Sequence, residues 1–306
     1  MKIVVVGAGS VGTLFGSILY EHGMDVTLVE IRNEIVEAIH KDGLKVTRGD
    51  SEKVFEIDIT NNIIDVENPD LIIFAVKSYD NITAAYDCLK IIGPETIVLT
   101  LQNGIGNYET ISNILGEKHT VIGTTTFGAT QYAPGCTRGS ETGEISIGEY
   151  KGGSSERIKN IAEILRSGGF TVNIVNDVNS LVWTKLAVNV GINAIGALCR
   201  ISNGETHSIE SASIIQKMAV EELMKVAKKK GIDLDYNSLY DHVVDVTITT
   251  STNKCSMLQD VEKRNLTEIR AINGAIVDYG NSINIDTPIN LVLTNLMIAT
   301  ETSYRK

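Results

Sequence analysis

Residues 1–30, MKIVVVGAGSVGTLFGSILYEHGMDVTLVE, decide the fold. The run Ile3-Val4-Val5-Val6 is apolar and β-branched without alternation, as a strand buried on both faces requires. Gly7-Ala8-Gly9-Ser10-Val11-Gly12 follows, then an amphipathic stretch to about His22, a stop at Gly23 and a second apolar run over residues 26–29. The pattern predicts strand, glycine-rich turn, helix and second strand. Gly7 permits the tight turn, Gly9 lets a pyrophosphate approach the backbone, and Gly12 lets the helix pack closely on the strand. The helix start at Ser10 and Val11 adds free N–H groups and a partial positive charge suited to phosphates. Glu30 closes the second strand, where a carboxylate meets ribose hydroxyls. A glycine string alone is a weak signal, and a merely structural turn is the competing reading. Its position between this strand and this helix favours a dinucleotide site.

Outward from this unit the alternation continues. Ile31-Arg32-Asn33 leads into a helical pattern through about Lys41, and Val46 and residues 55–59 suggest short strands of a hairpin. Residues 71–76 form another buried strand ending at Lys77, a helix runs to about Ile92, and residues 96–101 form a strand ending at Gln102-Asn103-Gly104. Strands alternating with helices over short turns imply an α/β fold, a doubly wound parallel sheet of Rossmann type. Ligands of such sheets sit beyond the carboxyl ends of the strands, where Gly7, Glu30, Lys77 and Asn103 fall. Residues 123–150 are β-rich; a helix (156–167) and a strand (170–175) follow. Beyond Asp177 helical patterns take over, at about 179–198, 208–230, 236–250, 257–280 and 288–301. The chain therefore divides into a dinucleotide-binding domain, 1–176, and a mainly α-helical substrate and catalytic domain, 177–306.

Composition narrows the partners. A formal net charge of −11 argues against nucleic acid or an anionic membrane surface. Cys88, Cys136, Cys199 and Cys255 are scattered without a C-x-x-C pair, which fits reduced thiols in a cytoplasmic protein and no metal site. The most apolar long window, 181–199, contains Lys185, Asn189 and Asn193, against a membrane span.

Those three polar residues are four apart, so they follow one helix face with a drift of about 40° per step. In one reading Lys185 snorkels to water and the asparagines bond neighbouring backbone. In the other the row lines a cleft, where a partly desolvated lysine has a lowered pKa and protonates a developing alkoxide. A second polar cluster, Ser256 to Asp260 followed by Arg264 and Thr267-Glu268-Ile269, reads on pattern alone more readily as the solvated face of a helix, and the pattern does not single out Glu268.

The chain resembles the ketopantoate reductases (2-dehydropantoate 2-reductases) over essentially its whole length. The landmarks are Gly7–Gly12, Val76-Lys77, Gln102-Asn103-Gly104, Pro134-Gly135 leading into Ile147-Gly148, Trp183-Thr184-Lys185-Leu186, Asn189, Asn193, Ser202-Asn203-Gly204-Glu205, Ser256-Met257-Leu258-Gln259-Asp260 and Thr267-Glu268-Ile269. The resemblance implies a Rossmann domain joined to a helical domain with a 2-ketoacid bound between them. It also implies reduction of 2-dehydropantoate to (R)-pantoate by a nicotinamide cofactor. By position, Lys185 matches the family's general acid and Glu268 the acid that assists binding and catalysis. Asn103 matches the residue near the nicotinamide and keto group, and Lys77 a residue on the cofactor side. Asn189, Asn193, Asn203 and Ser256 match substrate-binding positions.

Three departures stand out. Many members bind NADPH through an arginine just after the second strand; here the arginine is displaced by one, to Arg32, and an acid, Glu30, stands where the family usually has a neutral residue, which favours NAD(H) and leaves NADP(H) as the alternative. A family histidine is Arg138 here, a site the sequence does not explain. Asn-Pro is Asn193-Ala194, and Glu-Ile-Asp is Glu268-Ile269-Arg270. The rival function is an NAD-dependent D-2-hydroxyacid dehydrogenase for other branched or aromatic 2-ketoacids; a non-catalytic dinucleotide sensor is the reading from another class. A homodimer through the helical domain is an option the residues leave open.

Overall fold

The structure is a computed structural model that describes residues 1–304. Contacts gather the chain into two units: Met1–Gln102 with Asn107–Val178, and Asn103–Gly106 with the chain from Asn179 onward.

The first unit runs β1 (Lys2–Val6), α1 (Ser10–Glu21), β2 (Asp25–Val29), α2 (Asn33–Asp42), β3 (Leu44–Arg48), β4 (Ser51–Phe55), β5 (Asp58–Thr60), β6 (Leu71–Phe74), α3 (Asn81–Cys88), β7 (Ile97–Thr100), α4 (Asn107–Leu115), β8 (Thr120–Thr125), β9 (Ala129–Ala133), β10 (Cys136–Gly139), β11 (Glu144–Gly148), α5 (Glu156–Ser167) and β12 (Thr171–Ile174). Eight strands form the main sheet in the order β12-β11-β8-β7-β6-β1-β2-β5. From β8 to β5 every pairing is parallel. The strand order reverses between β1 and β6, and that switch point lies beside Gly7 and the segment after Phe74. The unalternating run of β1 is explained by the two faces. Ile3 and Val5 enter one apolar cluster with Leu14, Phe15 and Leu165, while Val4 and Val6 enter another with Phe74, Ala85 and Ile111.

Three features differ from the sequence reading. Residues 55–59 are not one strand: the hairpin is β3–β4, and β5 leaves it to pair with β2. Helix α4 and the start of β8 were not anticipated, because residues 107–122 lack strong start signals. The sheet is also not parallel throughout, since β11 runs antiparallel to β8. No crossover helix separates those two strands, and without one the chain returns antiparallel. The intervening β9 and β10 join β3 and β4 in a second, four-stranded sheet.

The second unit is helical: α6 (Val178–Cys199), α7 (Glu205–Ser208), α8 (Glu210–Lys230), α9 (Leu239–Thr249), α10 (Ser256–Glu262), α11 (Asn273–Ser282) and α12 (Pro288–Ser303). Helix α6 is long and apolar enough to cross a membrane by length and composition, but 67% of its most apolar window is buried within the protein. A Cβ on its Gly191 would lie 3.2 Å from Val220 of α8 and 3.0 Å from Val243 of α9, so α6 is a packed core helix. The expected helix over 257–280 is broken. Lys263 ends α10, Arg264 adopts a positive φ of 57°, and the Asn265 N–H bonds the Asp260 carbonyl. That is a left-handed C-terminal cap made without glycine. A 3-10 turn, Ile269–Ala271, precedes α11.

The closest backbone approach in the first unit is α1 on the end of β1. A Cβ on Gly12 would stand 1.9 Å from the Gly7 carbonyl oxygen. Gly12→Ala should therefore cost about 1–3 kcal/mol of stability or more, because backbone rather than a flexible side chain must move. Thermal unfolding reads this, and a wild-type midpoint would show that α1 does not approach β1 so closely.

Candidate active site

The glycine loop is held by its neighbours. Gly7 has φ of 101°, and a Cβ there would lie 2.8 Å from the Val76 nitrogen, so both conformation and space demand glycine. Gly9 is different. Its angles, φ −74° and ψ −168°, suit any residue, and a Cβ would meet only the Arg32 guanidinium at 3.9 Å. No internal contact requires glycine there; what it leaves open is room for a ligand against the backbone. Helix α1 begins at this point without a side-chain cap. The cradle fits the pyrophosphate of a dinucleotide.

The Ala8 peptide is clamped from both sides. Its N–H donates to Oε2 of Glu30 at 3.0 Å, and its carbonyl accepts from Gln131 Nε2 of β9 at 3.1 Å. The Thr13 and Thr137 hydroxyls meet at 2.7 Å one turn further on. Sequence reasoning missed Gln131 and Thr137, since nothing in their spacing signals that the second sheet packs on the loop. Glu30 is only 5% exposed and its carboxylate is shared. Arg32 donates to it through Nε (3.0 Å), Nη (2.8 Å) and its own backbone N–H (3.1 Å). The hydrogen bonds it donates to Glu30 hold the Arg32 guanidinium above its ordinary pKa. Asp80 lies in the same field: burial, then the Glu30 charge, push its carboxyl up, with Arg32 opposing.

At the ends of β6 and β7 a buried amide chain fixes the loops. Gln102 Nε2 donates to the Val76 carbonyl and to Asn81 Oδ1, both at 2.6 Å, and Asn81 Nδ2 donates to Asn107 Oδ1 at 2.8 Å. Lys77 sits between these anchored residues and the 3-10 turn Ser78–Asp80. Arg138 is an exposed residue of β10 with its guanidinium 5.9 Å from the Tyr132 ring centroid, which gives that departure a surface role.

In the second unit, Lys185, Asn189 and Asn193 follow one line of α6. Lys185 keeps partial exposure, yet protein surrounds its ammonium densely enough that desolvation lowers its pKa to about 8, with the Glu268 charge raising it. Asn193 is 4% exposed. The Nδ2 groups of Asn189 and Asn193 are buried donors with no hydrogen-bond partner among the described residues. Those two amide nitrogens therefore do not cap neighbouring backbone. Asn203 donates from Nδ2 to Thr250 Oγ1 at 2.9 Å, while its Oδ1 is a buried acceptor without a partner.

Ser256 is exposed at the start of α10. The preceding Cys255 caps that helix, accepting from the Leu258 N–H at 3.4 Å, and its Sγ donates to the Asn193 carbonyl at 3.6 Å. Glu268 is 6% exposed and caps the 3-10 turn, its carbonyl accepting from Ala271 and Ile272. Gly104, φ 84°, leaves no room for a Cβ, which would lie 2.3 Å from the Ala271 oxygen; Ile105 N–H bonds that same oxygen at 3.0 Å. Asn103 is thus tied to the turn that carries Glu268. Among the described residues no cluster of three or more His, Cys, Asp or Glu could hold a metal ion.

Comparison with known proteins follows the same division. The family models for ketopantoate reductase PanE/ApbA match residues 3–152, and for its C-terminal part residues 177–301. The chain is 34% identical to the 2-dehydropantoate 2-reductase of Pyrococcus abyssi over 297 residues, 97% of each chain. Two solved structures superpose over 100% of both chains. One is a ternary structure of D-mandelate dehydrogenase with NADH and anilino(oxo)acetate (28% identity, TM-score 0.95). The other is a PanE/ApbA family ketopantoate reductase from Ralstonia eutropha JMP134 (27%, TM-score 0.93). With its Rossmann-type sheet and helical C-terminal unit, the chain belongs to the ketopantoate reductase family of NAD(P)-dependent oxidoreductases.

Proposed function

We propose that this protein reduces 2-dehydropantoate to (R)-pantoate with NADH, on the route to pantothenate and coenzyme A. In this reading the first unit binds the dinucleotide and the second the substrate. The observation that carries it is the row of donors on α6: an ammonium and two buried, unpartnered amide N–H₂ groups. Such a row suits a ligand rich in acceptor oxygens, and a 2-ketoacid presents a carboxylate and a ketone.

Gly9, Ser10 and Val11 would hold the pyrophosphate, with Glu30, Arg32 and Lys77 nearer the rest of the cofactor. When bound there, a dihydronicotinamide would supply a hydride for the ketone carbon. Lys185 then gives its proton to the ketone oxygen as negative charge develops there. Glu268 keeps that ammonium protonated against desolvation. Asn103 orients the keto group, and Asn189, Asn193, Asn203 and Ser256 hold the substrate's oxygens and so set the face attacked.

NADH is favoured because Arg32 is already neutralised by Glu30 and Asp80 adds a further carboxyl nearby. A 2′-phosphate would meet a spent cation. The D-mandelate dehydrogenase likeness supports a second reading, an NAD-dependent D-2-hydroxyacid dehydrogenase for branched or aromatic 2-ketoacids.

Initial rates with ketopantoate, phenylpyruvate and 2-ketoisovalerate, each with NADH and NADPH, separate these. A kcat/KM highest for ketopantoate is expected; a higher value for either other acid moves the assignment to the second reading. Lys185→Ala should lower kcat by about 10²–10⁴ with NADH affinity nearly unchanged; full turnover would remove Lys185 from the mechanism. Because the acid must be protonated, wild-type kcat/KM for reduction should be flat below and fall as pH rises through about 8. A profile flat to pH 10 contradicts this. Glu30→Gln keeps an oxygen for the Ala8 N–H but frees the Arg32 charge, so the NADPH/NADH ratio of kcat/KM should rise about tenfold. An unchanged ratio would mean the pair does not read the cofactor.

A further inference from the structure

The residues around Glu268 contain a buried carboxylate that the reaction itself does not use. Glu301, near the end of α12, is 2% exposed. Its Oε1 accepts from the Thr267 N–H at 2.8 Å and from the Thr267 hydroxyl at 2.6 Å. The same hydroxyl oxygen accepts from the Ile269 N–H at 3.2 Å. On its outer side Glu301 Oε2 lies 3.5 Å from the guanidinium of Arg270, whose side chain is 63% exposed. Glu268 therefore sits between two residues whose backbone N–H groups are both fixed by one Glu301–Thr267 contact. The segment has no regular element of its own, lying between the end of α10 and the turn Ile269–Ala271.

We propose that Glu301 is a positioning residue, which through Thr267 fixes the Glu268 carboxylate toward Lys185. This rests on the roles given above to Lys185 and Glu268. A buried carboxylate is costly unless its oxygens are satisfied, and here two of its three contacts go to the residue preceding Glu268. The Glu268-Ile269-Arg270 departure gains an explanation as well: Arg270 neutralises the outer face of Glu301 from the far side of the turn. Neither residue reaches the reacting atoms, so the effect must travel through the placement of Glu268.

The measurable consequence is electrostatic. Glu268 raises the pKa of Lys185 against burial, so a Glu268 that swings away lets the Lys185 value fall below about 8. The charged group that acts on Lys185 is Glu268; facing Glu301 are the charged Arg270 and the neutral Thr267 hydroxyl. The experiment is NMR titration of Lys185 in lysine-labelled full-length protein without substrate, with the signal assigned by Lys185→Arg. The series comprises wild type, Glu268→Gln, Glu301→Ala, Glu301→Gln and Thr267→Val, with far-UV circular dichroism checking that each is folded. Glu301→Ala and Thr267→Val should lower the Lys185 pKa by on the order of one unit, as Glu268→Gln does. Glu301→Gln keeps an acceptor oxygen and should restore the wild-type value. If Glu268→Gln shifts Lys185 and neither Glu301→Ala nor Thr267→Val does, Glu301 serves stability alone and the proposal is overturned. If Glu268→Gln leaves Lys185 unmoved, the pairing itself is wrong and the positioning role falls with it. Thr267→Val removes no buried charge, so it remains informative should Glu301→Ala fail to fold.

Discussion

The first unit depends on a place where no side chain can stand. Helix α1 crosses the end of β1 with the Gly12 backbone against the Gly7 carbonyl, and Gly7 in turn lies against the backbone at Ala75 and Val76. Three backbone segments, from β1, α1 and the end of β6, converge there. Sheet order follows, since β1 and β6 must be neighbours for the contact to form, and their pairing is the switch point of the sheet. The loop's openness follows too. With Gly7 and Gly12 buried, Gly9 and the start of α1 are turned outward. Ala8 is held between them by Glu30 and Gln131.

That arrangement changes what Glu30 means. A carboxylate at the end of the second strand is read from sequence as a ribose ligand. Here it is also a structural acceptor for the loop and the anchor of an arginine two residues on. One residue thus couples the loop's shape to the local charge. Burial of the carboxylate strengthens its hydrogen bond with the Ala8 N–H, which is itself buried. The Arg32 side chain bends back onto Glu30 at the start of α2.

Much of this was legible from sequence because it rests on local pattern. The run Ile3–Val6, the glycine spacing, Gly23 and the helices over 156–167 and 288–301 are set by side-chain periodicity and backbone propensity within a few residues. Helix α6 was legible for the same reason, and so was the oddness of three polar residues along it. What was missed is non-local. Gln131 meets Ala8, Cys255 meets Asn193 and Glu301 meets Thr267 across long stretches of chain, and no window of sequence contains both partners. The break between α10 and α11 was missed for another reason. Arg264 takes a left-handed conformation that normally announces itself as glycine, so an amphipathic pattern seemed to run on. The placement of Glu268 depends on that break. On an unbroken helix it would sit about a third of a turn from Ser256, and only the interrupted chain gives it its own buried turn.

The polar row of α6 sets the last constraint. A buried amide donor without a partner costs roughly 1–3 kcal/mol, and two such donors lie on successive turns of a mainly apolar helix. Alanine or leucine at those positions would serve packing better, so the fold alone gives no reason for them. A ligand that supplies acceptor oxygens removes the penalty on binding. A site built this way also discriminates, since an analogue lacking one oxygen leaves a donor unpaired again. The buried Asn203 Oδ1 asks for the opposite partner, a donor. The ligand's identity is therefore set by side chains such as these and not by the overall fold, which superposes alike on a D-mandelate dehydrogenase and a ketopantoate reductase.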